Sequence, residues 1–184
     1  FAGNEVINDE ETTATAKYIK AVIRDVKAYL KARKYRQIPV GYSAADVEEN
    51  RLFAAEYFNC GSYEVRADFF GINDYSWCGN SSFSKSGYKD KVDDYKDIHM
   101  PMFLSEFGCN EVPGARPFSE IKSIYSDEMS SVFSGGLVYE YSEEDSNYGL
   151  VKIDSDDEVT TNQDYDNLKA QLAATSDPTE VNYS

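Results

Sequence analysis

Histidine occurs once and cysteine three times in this 184-residue chain, and no spacing among them matches a metal-ligand pattern. That argues against a metalloenzyme. Basic residues are scarce beside acidic ones, 18 against 33, giving a formal charge of −15 and a pI near 4.4. Such a surface repels phosphate backbones and anionic lipid, so nucleic acid is excluded as a partner class. No run of about 20 apolar residues occurs, so nothing reads as a membrane span. A glycine-rich dinucleotide turn and a P-loop are both missing, and no cofactor is implied. Internal repeats and low-complexity segments are absent too. There is neither an initiator Met nor a signal peptide, and the chain opens directly in an apolar segment. The natural N-terminus is therefore expected further upstream.

What is present describes one domain with a real core: 41% hydrophobic and 28% charged residues. Tyrosine and phenylalanine are plentiful, at 15 and 10. Most of these rings are core and surface filler. Tyrosine also suits sugar binding, with a flat apolar face for the ring's C–H surface and a hydroxyl for its polar edge. A neutral polysaccharide would be indifferent to the acidic surface.

Alternation is the main architectural signal. Apolar residues Ile19, Val22, Ile23, Val26 and Leu30 recur at helical spacing within Thr15–Ala32. Ile38–Ser43 reads as a strand, Asp46–Phe58 as a helix, and Asp68–Tyr75 as a strand. A weaker helix is predicted over Tyr88–Tyr95, a strand over Met102–Phe107, a helix over Ser119–Phe133 and a strand over Gly136–Tyr141. An irregular or hairpin stretch follows at Leu150–Thr161, then a closing helix near Asp164–Ala173. Strand centres at Val40, Phe70, Phe103 and Leu137 recur every 30 to 34 residues. Near-continuous apolar strands separated by helices indicate parallel βαβ units. An open doubly wound sheet and a (β/α)8 TIM barrel compete. Glu5, Ser43, Tyr75, Glu106 and Tyr139 fall near the C-terminal ends of strands, where barrel enzymes carry their chemistry. Barrels need about 250 residues. The expected fold is therefore a partial barrel, strands four to eight, within residues 1–173, with residues 174–184 beginning a linker. Open sheet edges follow, and the chain alone is not expected to be a stable monomer.

Two glutamates stand directly after apolar runs: Glu5 in Gly3-Asn4-Glu5 and Glu106 in Ser105-Glu106-Phe107-Gly108. Carboxylates at two strand ends are the minimum equipment for retaining cleavage of a glycosidic bond, one protonated to donate and one ionised to attack. If the runs before Cys78 and Cys109 are neighbouring parallel strands, about 4.8 Å apart, both thiols emerge within disulfide range. The alternative is two free buried thiols. Cys60 then lacks a partner within the chain. Asn80-Ser81-Ser82 and Asn182-Tyr183-Ser184 are N-glycosylation sequons, which with the cysteines lean towards a secreted protein. His99 reads as a loop residue, and Glu140, Glu143 and Glu144 as a hydrated rim.

Five separated segments carry a resemblance: Phe1–Val6, Ile38–Ser43, Phe70–Cys78, Ser105–Asn110 and Ser134–Tyr141. In order and spacing they resemble the fungal Gas/Gel/Phr β-1,3-glucanosyltransferases, glycoside hydrolase family 72, up to about Ile153. The resemblance implies a (β/α)8 catalytic domain acting on β-1,3-glucan donor and acceptor chains. It implies Glu5 as acid/base, Glu106 as nucleophile, Asn4 on the sugar 2-hydroxyl, Tyr75 beside the nucleophile, and Tyr139 and Tyr148 along the cleft. It also implies the Cys78–Cys109 bridge and a partner for Cys60 outside this chain. The implied location is extracellular, in the fungal cell wall or at the plasma membrane through a lipid (GPI) anchor beyond this segment. A retaining endo-β-1,3-glucanase and a non-catalytic glucan-binding segment are the competing readings.

Overall fold

A computed structural model describes residues 1–179. The apolar, β-prone stretches become four parallel strands that lie side by side in chain order: β1 (Tyr42–Ala45), β2 (Phe70–Asn73), β3 (Met102–Phe107) and β4 (Phe133–Val138). Helices fill the connections: α1 (Ala16–Ala32), α2 (Arg51–Asn59), α3 (Tyr88–Tyr95), α4 (Ile121–Ile124) and α5 (Asp127–Ser130). An antiparallel pair, β5 (Val151–Ile153) and β6 (Val159–Thr161), precedes the closing α6 (Gln163–Ala174).

The chain's first residues extend the sheet beyond β1. The Ala2 N–H donates to Gly41 O at 2.7 Å, Ser43 N–H to Gly3 O at 3.1 Å, and Glu5 N–H to Ser43 O at 2.9 Å. Asn4 and Ser43 form a parallel bridge. Repeated strand–helix units around a parallel sheet make this a partial (β/α)8 barrel.

Side chains alternate across each strand and sort the two faces. Outward, Tyr42, Phe70, Ile72, Met102, Leu104 and Phe133 are buried against helical Ile23, Phe58, Tyr95 and Met129. Each such side chain contributes about 1.5–3 kcal/mol relative to exposure. On the other face Phe69 stacks between Phe1 and Phe103, at 5.3 and 5.7 Å between ring centroids. Small residues follow: a Cβ on Gly71 would sit 2.5 Å from Ser105 Oγ. Only hydrogen fits there. Phe1 and Leu137, on the two outermost strand segments, remain 63% and 56% exposed.

Several boundaries differ from those read in the sequence. β1 begins at Tyr42, because pairing with β2 starts there while Ile38 stays exposed. The helix predicted from Asp46 starts at Arg51. Asp46 instead accepts from Arg51 Nη1 at 2.7 Å and pairs with Lys91 at 3.0 Å. The helix predicted over Ser119–Phe133 breaks in two. Ser126 is extended (ψ 154°), and its hydroxyl caps α5 by accepting from the Met129 N–H. β4 accordingly starts earlier, at Phe133. The second sequon, at Asn182, lies outside the described residues, as do residues 180–184 of the stretch expected to be a linker.

Candidate active site

The chemistry-bearing side chains gather where the parallel strands end. Asn73 closes β2, a strand whose four residues are all buried. Its Oδ1 accepts from the hydroxyls of Ser43 on β1 (2.8 Å) and Ser105 on β3 (2.7 Å). Those acceptances fix the amide the other way round, so Nδ2 points out of the sheet. It donates to Glu5 Oε1 at 2.8 Å and to Asn4 Oδ1 at 3.0 Å. Asn73 also stands in register with Glu106 on β3.

Glu106 is half-buried and accepts from the Tyr75 hydroxyl through Oε2 at 2.6 Å, a charge-assisted distance. Burial raises its carboxyl above the ordinary 4.5. The Tyr75 hydrogen bond pulls it back, the nearby Glu5 charge pushes it up again, and the Asn73 amide lowers it. Asn73, bonded to Glu5 and in register with Glu106, brings the two carboxylates to one end of the sheet. Burial and the Glu106 contact drive the Tyr75 phenol far above its usual value, so it remains a proton donor.

Tyr75 is one of three tyrosines set edge to face. Ring centroids lie 6.3 Å apart for Tyr75–Tyr139, 5.6 Å for Tyr75–Tyr148 and 5.4 Å for Tyr139–Tyr148. All three are half-buried and so offer partial aromatic surface beside Glu106. Asp74, between Asn73 and Tyr75, turns the opposite way. It accepts from the Ser76 N–H and hydroxyl and pairs with buried Lys91 at 2.9 Å. Its own N–H donates to Glu106 O.

Cys78 and Cys109 are joined by a disulfide, with Cα atoms 5.2 Å apart and a sequence separation of 31. A closed loop of that size stabilises a fold by about 3–4 kcal/mol in the chain-entropy picture. The bond ties the loop after Tyr75 to the loop after Glu106.

Of the residues singled out in the sequence, Glu5, Asn4, Tyr75, Glu106, Tyr139 and Tyr148 thus lie together at one end of the sheet. Asn80 is exposed in the loop after Cys78, and His99 is exposed before β3. Cys60 is exposed and free among the described residues, with Lys20 Nζ 3.2 Å from its sulfur. Glu140 and Glu143 are partly covered, and Glu144 is exposed. Sequence reasoning singled out neither Asn73 nor Ser105, and marked Ser43 only as a polar residue at a strand end. The available signal was a polar amide ending the wholly apolar run Phe70-Gly71-Ile72.

A family model described as glucanosyltransferase matches residues 1–176. The chain is 64% identical over 179 residues to 1,3-beta-glucanosyltransferase GAS5 of Saccharomyces cerevisiae, covering 97% of this chain and 37% of that protein. It is 54% identical over 185 residues to 1,3-beta-glucanosyltransferase gel1 of Aspergillus fumigatus, covering 100% and 40%. Among solved structures, Saccharomyces cerevisiae Gas2p in complex with laminaritriose and laminaritetraose superposes with a TM-score of 0.91 at 47% identity, covering 98% of this chain and 41% of that one. The chain therefore spans about two fifths of the length of the relatives it matches.

Proposed function

The chain belongs to the glucanosyltransferase family, and on that premise we propose that it supplies the catalytic carboxylates of a retaining β-1,3-glucan transglycosylase. One observation carries the reading. Asn73 holds Glu5 and Tyr75 holds Glu106 at the same end of one parallel sheet, Glu5 on the segment paired with β1 and Glu106 on β3. A retaining double displacement needs two carboxyls about 5–5.5 Å apart with different surroundings.

In this reading Glu106 attacks the anomeric carbon of an internal glucose unit while Glu5 protonates the departing glucosidic oxygen. A glycosyl-enzyme ester forms on Glu106 and the leaving glucan diffuses away. Glu5, now ionised, takes the proton from a hydroxyl of an incoming glucan, whose oxygen displaces Glu106. The new reducing end is thereby transferred to another chain. Asn4 contacts the sugar 2-hydroxyl, and Tyr139 and Tyr148 face the glucose units. Residues 1–173 form the later half of the barrel and 174–184 begin a linker. Within the described part of that tail, Thr179 donates to Asp127 through its N–H and its hydroxyl.

The intact parent protein is proposed to act outside the cell on wall glucan, glycosylated at Asn80, with Cys60 paired to a cysteine beyond this segment and a lipid anchor elsewhere in the chain. An exposed Asn80 and an exposed Cys60 are compatible with both.

The test is product analysis in a protein carrying the complete barrel, with laminari-oligosaccharides as substrate. Glu106→Gln and Glu5→Gln are each expected to lower kcat by about 10³-fold or more, and the parent should yield products longer than its substrate. Products only shorter than the substrate would identify a hydrolase. Unchanged turnover in Glu106→Gln would remove Glu106 from the mechanism.

A further inference from the structure

Arg116 is the largest fully buried side chain in the described fold, 2% exposed in the loop between β3 and α4. Such a cation is tolerated only where its donors are matched, and here they are. Nε pairs with Asp164 Oδ2 at 2.6 Å, and the Arg116 N–H donates to Asp164 Oδ1 at 2.9 Å. Nη1 donates to Gly108 O at 3.1 Å and Tyr139 O at 2.7 Å, while Nη2 donates to Tyr148 O. The guanidinium also lies over the rings of Phe118 and Tyr148, 4.8 and 5.5 Å from their centroids.

Those three carbonyls belong to three separate segments. Gly108 is two residues past Glu106, Tyr139 follows β4, and Tyr148 lies in the loop before β5. One planar fork thus fixes the backbone of both tyrosines that face Tyr75, and of the strand exit that carries Glu106. Helix α6 holds the fork in turn. Asp164 takes the cation, Asn167 Nδ2 donates to Arg116 O at 2.9 Å, and Gln171 Nε2 to Pro117 O at 3.2 Å. At i, i+3 and i+7 these three share one helical face.

We propose that Arg116, anchored by Asp164, is a positioning residue that sets the Tyr139–Tyr148 wall. It thereby controls how tightly glucan is held and what share of the glycosyl-enzyme passes to sugar instead of water. The proposal rests on the transglycosylase reading above and deepens it. Arginine is required because three carbonyls and a carboxylate are engaged by donors in one plane. A lysine ammonium on a flexible stem cannot reach them all.

The experiment compares Arg116→Lys and Asp164→Asn in the protein carrying the complete barrel. Laminaripentaose affinity is measured by calorimetry in a Glu106→Gln background, and kcat, KM and the transfer-to-hydrolysis ratio in the active background. Expected is a loss of affinity of about tenfold, equivalent to about 1.4 kcal/mol. A matching rise in KM, a kcat within about threefold and a lower transfer share should accompany it. Unchanged affinity and product ratio would overturn the proposal, as would a fall in kcat with affinity intact. Should Arg116→Lys not fold, Asp164→Asn decides, because it keeps the guanidinium and loosens its anchor. A drop in Tm alone in both variants would leave Arg116 a purely structural group and end the proposal. If the parent binds laminaripentaose but never transfers it, the transglycosylase reading fails, and the affinity comparison still judges Arg116.

Discussion

At the scale of single residues, Glu106 stands between opposing influences. Burial and the Glu5 charge favour its protonated form, whereas the Tyr75 hydroxyl and the Asn73 amide favour the carboxylate. In its proposed role as nucleophile Glu106 must be ionised, so activity should fall as pH drops through the pKa of this group. Tyr75→Phe removes the larger of the two lowering influences. The acid limb of the kcat/KM profile should therefore move to higher pH, with little change on the alkaline side of the optimum. A pH–rate series on oligosaccharide substrate checks this, and a limb that stays in place or moves to lower pH would refute it. Glu5, Glu106 and Tyr75 were legible as residues that meet at the strand ends, because each sits in a short segment with family-specific neighbours. Asn73 was not. An asparagine at a strand end also reads as a turn residue or cap. Its role emerges only when Ser43, Ser105 and Glu5, distant in sequence, are brought around it.

Among the elements, α3 shows how unequal two lysines on one short helix can be. Lys91 is 3% exposed and bridges Asp46, after β1, with Asp74, after β2. Lys89, two residues earlier, makes an exposed i,i+4 pair with Asp93. Removing one partner of a buried pair strands the others, at about 3–5 kcal/mol, while an exposed pair contributes about 0–1 kcal/mol. Lys91→Met should therefore lower unfolding free energy by about 3–5 kcal/mol in urea titrations, and Lys89→Met should leave it nearly unchanged. Similar losses in the two variants would contradict this account.

Element type was well signalled where periodicity was strong, as in α1 and the buried strands. Boundaries slipped where a polar residue had two uses. Asp46 reads as a helix start but serves a buried cation. Ser126 reads as mid-helix yet caps a new one. Its Ser-Asp-Glu pattern was a visible capping signal that the apolar spacing of Ile121, Ile124 and Met129 masked.

For the molecule as a whole, the sheet's outermost segments decide behaviour in solution. Phe1 and Leu137 are large apolar side chains left uncovered there, and unpaired strand edges template association. Residues 1–179 produced alone should elute above monomer mass in size-exclusion chromatography. Co-expression with the strand–helix units that precede them in a full-length relative should restore a monomeric profile. A well-folded monomer without those units would show that the edges protect themselves. The barrel architecture itself was legible from the regular strand spacing and the polar residues at strand ends.

The contact between Gly71 and Ser105, with Ser43 and Asn73 beside them, leaves no spare volume beneath the carboxylates. Random mutagenesis should find that floor intolerant of any added atom. New substrate preferences would then be recruited from the loops around the opening, not from its base.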